Sequence, residues 1–581
     1  MGKYSAWFSK RKNLILGGGI FLLAATGWGF QDDLFQVAKN LDIFATVYKE
    51  VNINYVDEIN STKLIKRGLD AMMESLDPYT EFVPESEIED YKLHYISTQY
   101  GGIGAGVYNR NKKVIISQLF EGYPAQKADI RVGDEVLKIN DVDLNGKTSD
   151  EVSALLKGAK GGVVKMLVKR ENVAQPLVKN LLREEIKQPN VTYHGMLKSG
   201  IGYIKLDKFL ENSGQEVQDA LLDLKKNNPK GIVLDLRYNG GGILQEAVKI
   251  VNFFVPKGVE VVAQKGKLKE KNNIYYAQNT PIETELPLVV LVNGRSASAS
   301  EIVAGALQDL DRAVVVGQRS YGKGLVQQTF SMPYNSLVKI TISKYYVPSG
   351  RCIQAIDYTH RKDDGTVVKV ADSLIHEFKT KNGRSVYDGS GIYPDVLVKQ
   401  EPVANITKAL ITKMQIFNYA NNYRNTHDQL PGPDKFNLSD ADYADFVKYL
   451  SGKDYSYSTQ TERLVTDLKT VAEHEKQLGE IKNEYDALKT KLAISKKNDL
   501  VQHQAEIKQI LESELITRYY YEKGRIEDSF KFDKELAAAA QVIQNKPEVL
   551  AILKGEGDHK VIGKPIAALA AKTSDQNNDE H

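Results

Sequence analysis

Three serines alternate with alanines in the stretch 292–305, which reads VNGRSASASEIVAG. Ser296, Ser298 and Ser300 follow an apolar run and precede a helix-like run, so they fall at a sharp strand-to-helix turn. A hydroxyl at such a turn projects from the end of a sheet, where the first amides of the helix have no intrahelical partners and can face an anion. This placement suits a nucleophile. The structural alternative is a helix N-cap, because serine caps helices well.

A serine nucleophile needs a base, and the sequence near this turn offers a lysine rather than a histidine. None of the nine histidines lies between residues 200 and 346, the region that contains the serines. This weakens a Ser-His-Asp triad without excluding it. Lys323, in the run SYGKG, follows a predicted strand and is flanked by glycines. A lysine can act as the base where burial keeps it neutral, with a pKa well below its usual value of about 10.4.

A glycine-rich turn is the third candidate element. The run DLRYNGGG at residues 235–242 ends a predicted buried strand and opens a helix. Its glycine amides could donate to an oxyanion, although glycine-rich βα turns are also common without such a role. The run 317–323 matches G-x-x-x-x-G-K, but Gly324 stands where a P-loop has Ser or Thr, and a strand follows instead of a helix. Nucleotide binding is therefore not favoured.

Strands and helices alternate from residue 200 onward, which indicates βαβ units on one sheet. The predicted strands are 201–206, 231–236, 288–292, 313–316, 325–330 and 338–346, and the predicted helices are 214–227, 243–254 and 299–308. Lys323 then emerges at a sheet edge, as the serines do.

The rest of the chain divides into regions that differ in composition and in the spacing of apolar residues. Residues 32–95 show apolar residues at helical spacing, with a helix at 62–75 that Pro78 closes. Glycines and short apolar runs from Gly101 onward, with a helix at 149–156 and a strand at 163–169, predict a small β-barrel with two helices. Residues 400–581 are mostly helical and charged, which predicts a scaffold or a docking surface for an adaptor or for oligomer formation.

The N-terminus and the composition limit the compartment and the ligands. Three basic residues, 10–12, precede an uncharged stretch whose apolar part, 14–30, has the length of a short membrane span or a long signal peptide. Both alternatives place the remainder outside the cytoplasm. A net charge of +2 with mixed signs argues against nucleic-acid binding. Cys352 is the only cysteine, so neither an intrachain disulfide nor a cysteine-based zinc site is expected.

These motifs together resemble the carboxyl-terminal processing, or tail-specific, serine proteases that carry a PDZ domain. Four features match in order over residues 35–398: GGIG at 101–104, DLRYNGGG, SASASE at 296–301, and YGKG at 321–324 followed by two glutamines. The resemblance implies an α/β multidomain fold with a crotonase-like βαβ core and an inserted PDZ β-barrel. The implied regions are 1–31 (signal peptide or anchor), 32–95 (helical cap), 96–185 (PDZ-like), 186–399 (protease core), 400–572 (helical) and 573–581 (disordered tail).

The resemblance also implies a catalytic site for peptide-bond hydrolysis without metal or cofactor. Ser298 would be the nucleophile, Lys323 the general base, and Gln327 the residue that orients the lysine amine. The oxyanion donors would be the amide of Ala299 and one amide of the pair Gly241 and Gly242, either of which could serve. Asp309 is expected to be structural.

The PDZ-like region would select protein or peptide substrates by their free C-termini. Amides at Gly102, Ile103 and Gly104 would hold the terminal carboxylate, while the next strand pairs with the extended peptide. Ile103, Val152 and Leu155 would line a pocket for an apolar last side chain. Ala105 is smaller than the residue usual at its position in the family.

Two other functions are compatible with parts of this pattern. One is a non-catalytic PDZ scaffold or peptide-binding protein on the same fold, although the serine and the lysine are both present. The other is a crotonase-like acyl-CoA enzyme, which would need neither a PDZ region nor an export segment.

Overall fold

The computed structural model describes residues 34–97, 99–362 and 365–563. Its contacts divide the chain into two compact units, a smaller one formed by Met1–Glu85 and Gln327–Thr341 and a larger one formed by Ser86–Val326 and Ile342–His581. The predicted apolar segment 14–30 and the predicted tail 573–581 lie outside the described residues.

The smaller unit contains helices and a small antiparallel sheet. A helix covers residues 34–54, and a second, Ser61–Glu74, begins after Asn60, whose side chain accepts the Lys63 amide (2.9 Å). The strand Glu81–Val83 pairs with the first half of the strand Ser336–Tyr346, a pairing that the helical prediction for residues 32–95 missed.

The PDZ-like part of the larger unit is a six-stranded antiparallel sheet with two helices. Its strands are Ala105–Arg110, Lys113–Leu119, Glu135–Ile139, Val142–Asp143, Val163–Lys169 and Leu177–Leu182, and its helices are Pro124–Lys127 and Ser149–Leu156. Ala105–Arg110 is one of the edge strands of this sheet. The strand Gln99–Gly102, which leads into the barrel, pairs with Glu184–Lys187, which leaves it.

A six-stranded sheet forms the centre of the larger unit. Its order in space is Val191–Met196, Gly202–Leu206, Ile232–Asp235, Leu288–Val292, Val314–Gly317 and Val396–Leu397. The first pair is antiparallel and the other four pairs are parallel. This register confirms the predicted α/β fold class. The first and last strands of the sheet, Val191–Met196 and Val396–Leu397, were not predicted, and the predicted strands 325–330 and 338–346 belong to a different sheet.

Helices cover both faces of the sheet, as a parallel sheet requires. The three helices that follow its strands, Ser213–Lys225, Leu244–Asn252 and Ala299–Asp309, contribute to the apolar core on one face. The other face packs against residues of the C-terminal helices Gln504–Ser529, Lys534–Gln544 and Lys546–Lys554. The end of the helical region, predicted as a scaffold or docking surface, thus packs on the central sheet and contributes to its core.

The larger unit contains a further helical core and several additional helices and strands. A separate helical core contains residues from Asn405–Thr412, Gln415–Thr426, Asp440–Tyr449 and Gln504–Ser529. Other helices are Ile88–Tyr95, Gln460–His474, Leu478–Lys497 and Asp499–Gln502, and other strands are Glu260–Gly266, Asn273–Tyr276, Ile356–Arg361, Val367–Lys369, Glu377–Lys379 and Ser385–Tyr387.

Candidate active site

The three serine hydroxyls of the turn 296–300 differ in their hydrogen-bond partners and in their exposure. The Ser296 hydroxyl donates to the carbonyl of Leu236 (2.8 Å), and the Ser300 hydroxyl donates to the carbonyl of Asn239 (2.8 Å). Both side chains are fully buried, whereas Ser298 is partly exposed. The outer two serines therefore attach the turn to the glycine-rich loop, and Ser298 is the one that a substrate can reach.

Ser298 has a backbone conformation that non-glycine residues rarely adopt. Its φ is +55° and its ψ is −115°, at the position that immediately precedes the helix Ala299–Asp309. Such strained dihedrals cost free energy and persist where the surrounding structure enforces them, often at functional sites. Ser298 thus occupies the helix N-cap position, as the alternative to a nucleophile predicted. Its positive φ is of the kind that is often found at functional sites.

A buried glutamate joins the backbone of Ser298 to that of Lys323. One carboxylate oxygen of Glu301, Oε2, accepts the amides of Ser298 (2.9 Å) and Lys323 (2.9 Å). The other oxygen, Oε1, accepts the Ser320 hydroxyl (2.5 Å) and the Gly322 amide (2.7 Å). Burial raises the pKa of Glu301 to about 7, and the four donors oppose that rise because they favour the anion.

A buried tyrosine joins the same two residues through their carbonyls. The hydroxyl of Tyr345 lies 2.5 Å from the carbonyl oxygen of Lys323 and 3.1 Å from that of Ser298. Tyr345 belongs to the strand Ser336–Tyr346 and is 1% exposed. The predicted nucleophile and the predicted base, 25 positions apart in sequence, are therefore connected twice through their main chains.

The sequence contained a signal for Glu301 but none for Tyr345. Glu301 stands three residues after Ser298, the spacing of a capping box, and it ends the motif SASASE. Nothing in the local sequence distinguishes Tyr345 from neighbouring strand residues, because its partners lie 22 and 47 positions away.

The glycine-rich loop lies directly against Ser298. Gly241 has a φ of +96°, and a Cβ atom there would come within 2.7 Å of Ser298 Cβ and 2.8 Å of the Ala299 nitrogen. The amide of Gly241 donates to Asn239 Oδ1 (2.9 Å). Among the described residues, the amides of Ala299 and Gly242 donate no hydrogen bond to a protein acceptor. These two amides are available to an oxyanion.

Comparison with known proteins identifies the family. Residues 200–360 match the sequence profile of Peptidase family S41, residues 115–170 that of a PDZ domain, and residues 406–543 that of the C-terminal helical domain of a probable PDZ-protease. The carboxy-terminal-processing protease of Bartonella bacilliformis is 34% identical over 361 residues, which make up 60% of this chain and 81% of that protein. The chain belongs to the carboxy-terminal-processing proteases.

The chain is also similar to a protein named as a serine protease and to a solved processing protease. A probable CtpA-like serine protease of Staphylococcus aureus is 36% identical over 317 residues, 54% of this chain and 62% of that protein. The solved structure of a photosystem II D1 C-terminal processing protease is similar over 61% of this chain and 92% of its own, with 25% identity and a TM-score of 0.33. The predicted enzyme class, a serine peptidase with a PDZ domain, is confirmed.

Gln327 belongs to the smaller unit of this carboxy-terminal-processing protease. It lies in the strand Leu325–Met332, and its amide nitrogen donates to Thr341 Oγ1 (3.0 Å) within that unit. Its predicted role in orienting Lys323 stays a prediction.

Asp309 is buried at the end of the helix that follows Ser298. Its carboxylate accepts the guanidinium of Arg351 (2.8 Å), which also donates to Gln308 (2.8 Å). Asp309 and Arg351 are almost fully buried, which agrees with a structural role.

The predicted ligand residues of the PDZ domain differ in accessibility. Ile103 and Val152 are buried in the domain core, whereas Leu155 is partly exposed. Gly104 has a φ of +72° and packs against the Cβ of Tyr123, so a side chain would not fit there. The structure therefore assigns Ile103 and Val152 to the domain core, and Leu155 is the accessible member of the predicted pocket.

Neither a membrane-spanning helix nor a metal site is found in the part of the chain that the structure describes. Within residues 34–97, 99–362 and 365–563, no helix is long and apolar enough to cross a membrane. The same described ranges hold no cluster of metal-ligating side chains.

Proposed function

We propose that this serine peptidase cleaves peptide bonds with a Ser298/Lys323 dyad. The observation that carries the proposal is the pair of buried bridges, through Glu301 and Tyr345, that hold the main chains of Ser298 and Lys323 together. The bonded hydroxyls of Ser296 and Ser300 add support, because they leave Ser298 as the accessible serine of the motif.

The proposed reaction is acyl transfer to Ser298 followed by hydrolysis. Neutral Lys323 takes the proton of the Ser298 hydroxyl as its oxygen attacks the substrate carbonyl, and Lys323 then protonates the leaving amine. Water, deprotonated by the same lysine, releases the acyl group. The amides of Ala299 and of one glycine of the pair 241–242 stabilise the oxyanion. Gly242 is favoured within that pair because the Gly241 amide already donates to Asn239.

The PDZ domain is proposed to select substrates by their C-termini. Ala105–Arg110 is an edge strand, so an extended peptide can add to it as a further strand. The terminal carboxylate would then meet the amides of Gly102, Ile103 and Gly104. Leu155, on the helix Ser149–Leu156, would contact an apolar last side chain.

The proposed location is outside the cytoplasm, in the periplasm of a bacterium. The basic residues 10–12 and the apolar stretch 14–30 suit either an uncleaved anchor or a removed signal peptide. The C-terminal region remains a predicted docking surface for an adaptor or for a second copy, through those of its helices that do not pack on the central sheet.

Covalent labelling tests the dyad directly. The full chain is incubated with a fluorophosphonate probe, which reacts with activated serines, and the modified peptide is identified by mass spectrometry. We expect the label on Ser298, none in Ser298→Ala, and strongly reduced labelling in Lys323→Ala. Lys344→Ala removes an exposed lysine and is the matched control. A label on another serine, or full labelling of Lys323→Ala, would overturn the proposal.

A further inference from the structure

The C-terminal helical region contacts the loop that carries one of the two proposed oxyanion donors. Its helix Lys534–Gln544 begins after Asp533, whose side chain accepts the Leu536 amide (2.9 Å). Glu535 lies in the first turn of the same helix, and its Oε1 accepts the side-chain amide of Gln318 (2.8 Å). The N-terminal end of this helix therefore carries two carboxylates, those of Asp533 and Glu535.

Both carboxylates bind Arg237, the arginine of the DLRYNGGG motif. Arg237 Nη1 donates to Asp533 (2.9 Å) and Glu535 (2.5 Å), and Nη2 donates to Asp533 (2.6 Å). On its other side, Arg237 donates from Nε and Nη2 to Asp235 (3.0 and 2.6 Å). The guanidinium is 11% exposed and lies among three carboxylates, which fix its plane as well as its position.

Hydrogen bonds and close packing connect the loop that follows Arg237 to the turn that contains Ser298. Asn239 is fully buried and donates to the carbonyl of Leu206 (2.8 Å). Its own carbonyl accepts the Ser300 hydroxyl, and its side chain accepts the Gly241 amide. A Cβ atom at Gly241 would clash with Ser298 and Ala299, so the loop lies directly against the serine-rich turn 296–300. A shift of Arg237 would therefore move the loop whose amides face the reacting carbonyl.

The helix Lys534–Gln544 is packed against the sheet, so it can hold the loop 237–242 in place. Residues Leu536, Ala539, Val542 and Ile543 pack in one buried core with residues of the sheet strands. A buried cluster of one cation and three anions contributes little net stability, because desolvation offsets the attraction, so its geometry is the property that matters here.

We propose that Asp533 and Glu535 are positioning residues for catalysis, which act through Arg237 on the loop 237–242. The inference rests on the proposed function and assigns the C-terminal region a part in acyl transfer. In the proposed mechanism the loop would contact the scissile carbonyl and not the chain end that the PDZ domain binds, so loss of this support should lower kcat and leave KM unchanged.

The test compares isosteric variants of the full chain. Asp533→Asn keeps the helix cap, because asparagine caps as well as aspartate does, and Glu535→Gln keeps the shape of the side chain. The control is Glu401→Gln, since Glu401 pairs with Lys534 at an exposed site on the same helix. Cleavage kinetics, the rate of fluorophosphonate labelling at Ser298, and thermal unfolding are measured for each protein.

The double variant should show kcat and the labelling rate lowered by about 10- to 100-fold, the cost expected for a small misplacement of catalytic groups. KM should not change, and Glu401→Gln should behave as wild type. If the double variant unfolds, Glu535→Gln alone, which keeps the bonds between Arg237 and Asp533, should show a smaller loss of kcat. Wild-type labelling rates in folded variants, or an effect on KM alone, would overturn the inference. Failure of wild type to label at Ser298 would instead refute the proposed dyad.

Discussion

One oxygen of the Glu301 carboxylate lies 2.9 Å from the backbone nitrogen of Lys323 and, at the same distance, accepts the amide of Ser298. A single buried carboxyl group therefore holds together the backbone nitrogens of two residues that lie 25 positions apart in the sequence. Each carboxylate oxygen of Glu301 accepts two hydrogen bonds, so all four acceptor positions are occupied. Protonation of the carboxylate would therefore break one of these hydrogen bonds.

Glu301→Gln should lower both activity and stability. Glutamine offers one acceptor oxygen and places an NH₂ group against two donors, so at least two buried donors lose their partner. Each unsatisfied buried donor costs about 1–3 kcal/mol. We expect a large loss of kcat with a lower free energy of unfolding in urea. Glu270→Gln, at an exposed site, is the control, and wild-type kinetics in Glu301→Gln would contradict the bridging role.

The same variant should change the pH dependence of stability. Because the folded-state pKa of Glu301 is raised to about 7 from an ordinary 4.5, the unfolded chain releases this proton first as pH rises. The group therefore lowers the free energy of unfolding progressively between pH 4.5 and 7, by about 3 kcal/mol in all, and adds no slope above 7. Urea unfolding at pH 5 and pH 8 measures the difference, which should be smaller by that amount in Glu301→Gln. Equal pH dependence in the two proteins would show that Glu301 is ionised throughout.

Tyr345→Phe should separate positioning from packing. The substitution keeps the buried ring and removes only the hydroxyl that bridges the carbonyls of Lys323 and Ser298. Its cost in stability should be about 0.5–1.5 kcal/mol, the net value of one hydrogen bond. We expect a fall in kcat larger than that stability loss explains, measured beside Tyr276→Phe at an exposed site. Unchanged kcat would mean that Glu301 alone keeps the two residues in place.

The three serines should respond differently to alanine. Ser298→Ala should abolish cleavage of an unfolded protein substrate and leave folding intact. Ser296→Ala and Ser300→Ala each remove one buried hydrogen bond, so they should keep measurable activity at a stability cost of about 1 kcal/mol. Lys323→Arg should be inactive, because a guanidinium does not release its proton in proteins. Cleavage by Ser298→Ala at the wild-type rate would exclude Ser298 as the nucleophile.

Substrates that differ only at the terminal carboxylate should test the PDZ domain. A free-acid substrate should be cleaved at least about tenfold faster than its amidated counterpart, since hydrogen bonds to a charged group contribute about 1.5–3 kcal/mol. Matched peptides are preferable to Ile103→Asp, because Ile103 is 2% exposed and a charge there would disrupt the domain core. Leu155→Asp, with Leu182→Asp as the exposed control, probes the pocket instead. Equal rates for the two substrates would show that the domain does not recognise chain ends.

The sequence by itself determined the order and the chemistry of the parts. The alternation of strands and helices predicted the parallel sheet, and the strand 288–292 and the helix 149–156 were predicted at the limits found in the structure. Both properties are local, because hydrophobic period and turn residues act over a few positions. The sequence also named Ser298 and Lys323 as candidates through motifs whose spacing matches a family.

Only the tertiary structure decided how these parts cooperate. It distinguished Ser298 from Ser296 and Ser300 by their buried hydrogen bonds, and it brought Glu301 and Tyr345 to the same two main-chain segments. It also placed the C-terminal helices on the second face of the sheet, more than 200 positions after the strand Leu288–Val292. An amphipathic pattern shows that one face of a helix is buried, but it does not show which surface covers that face. The partner surface depends on packing between segments that are distant in sequence.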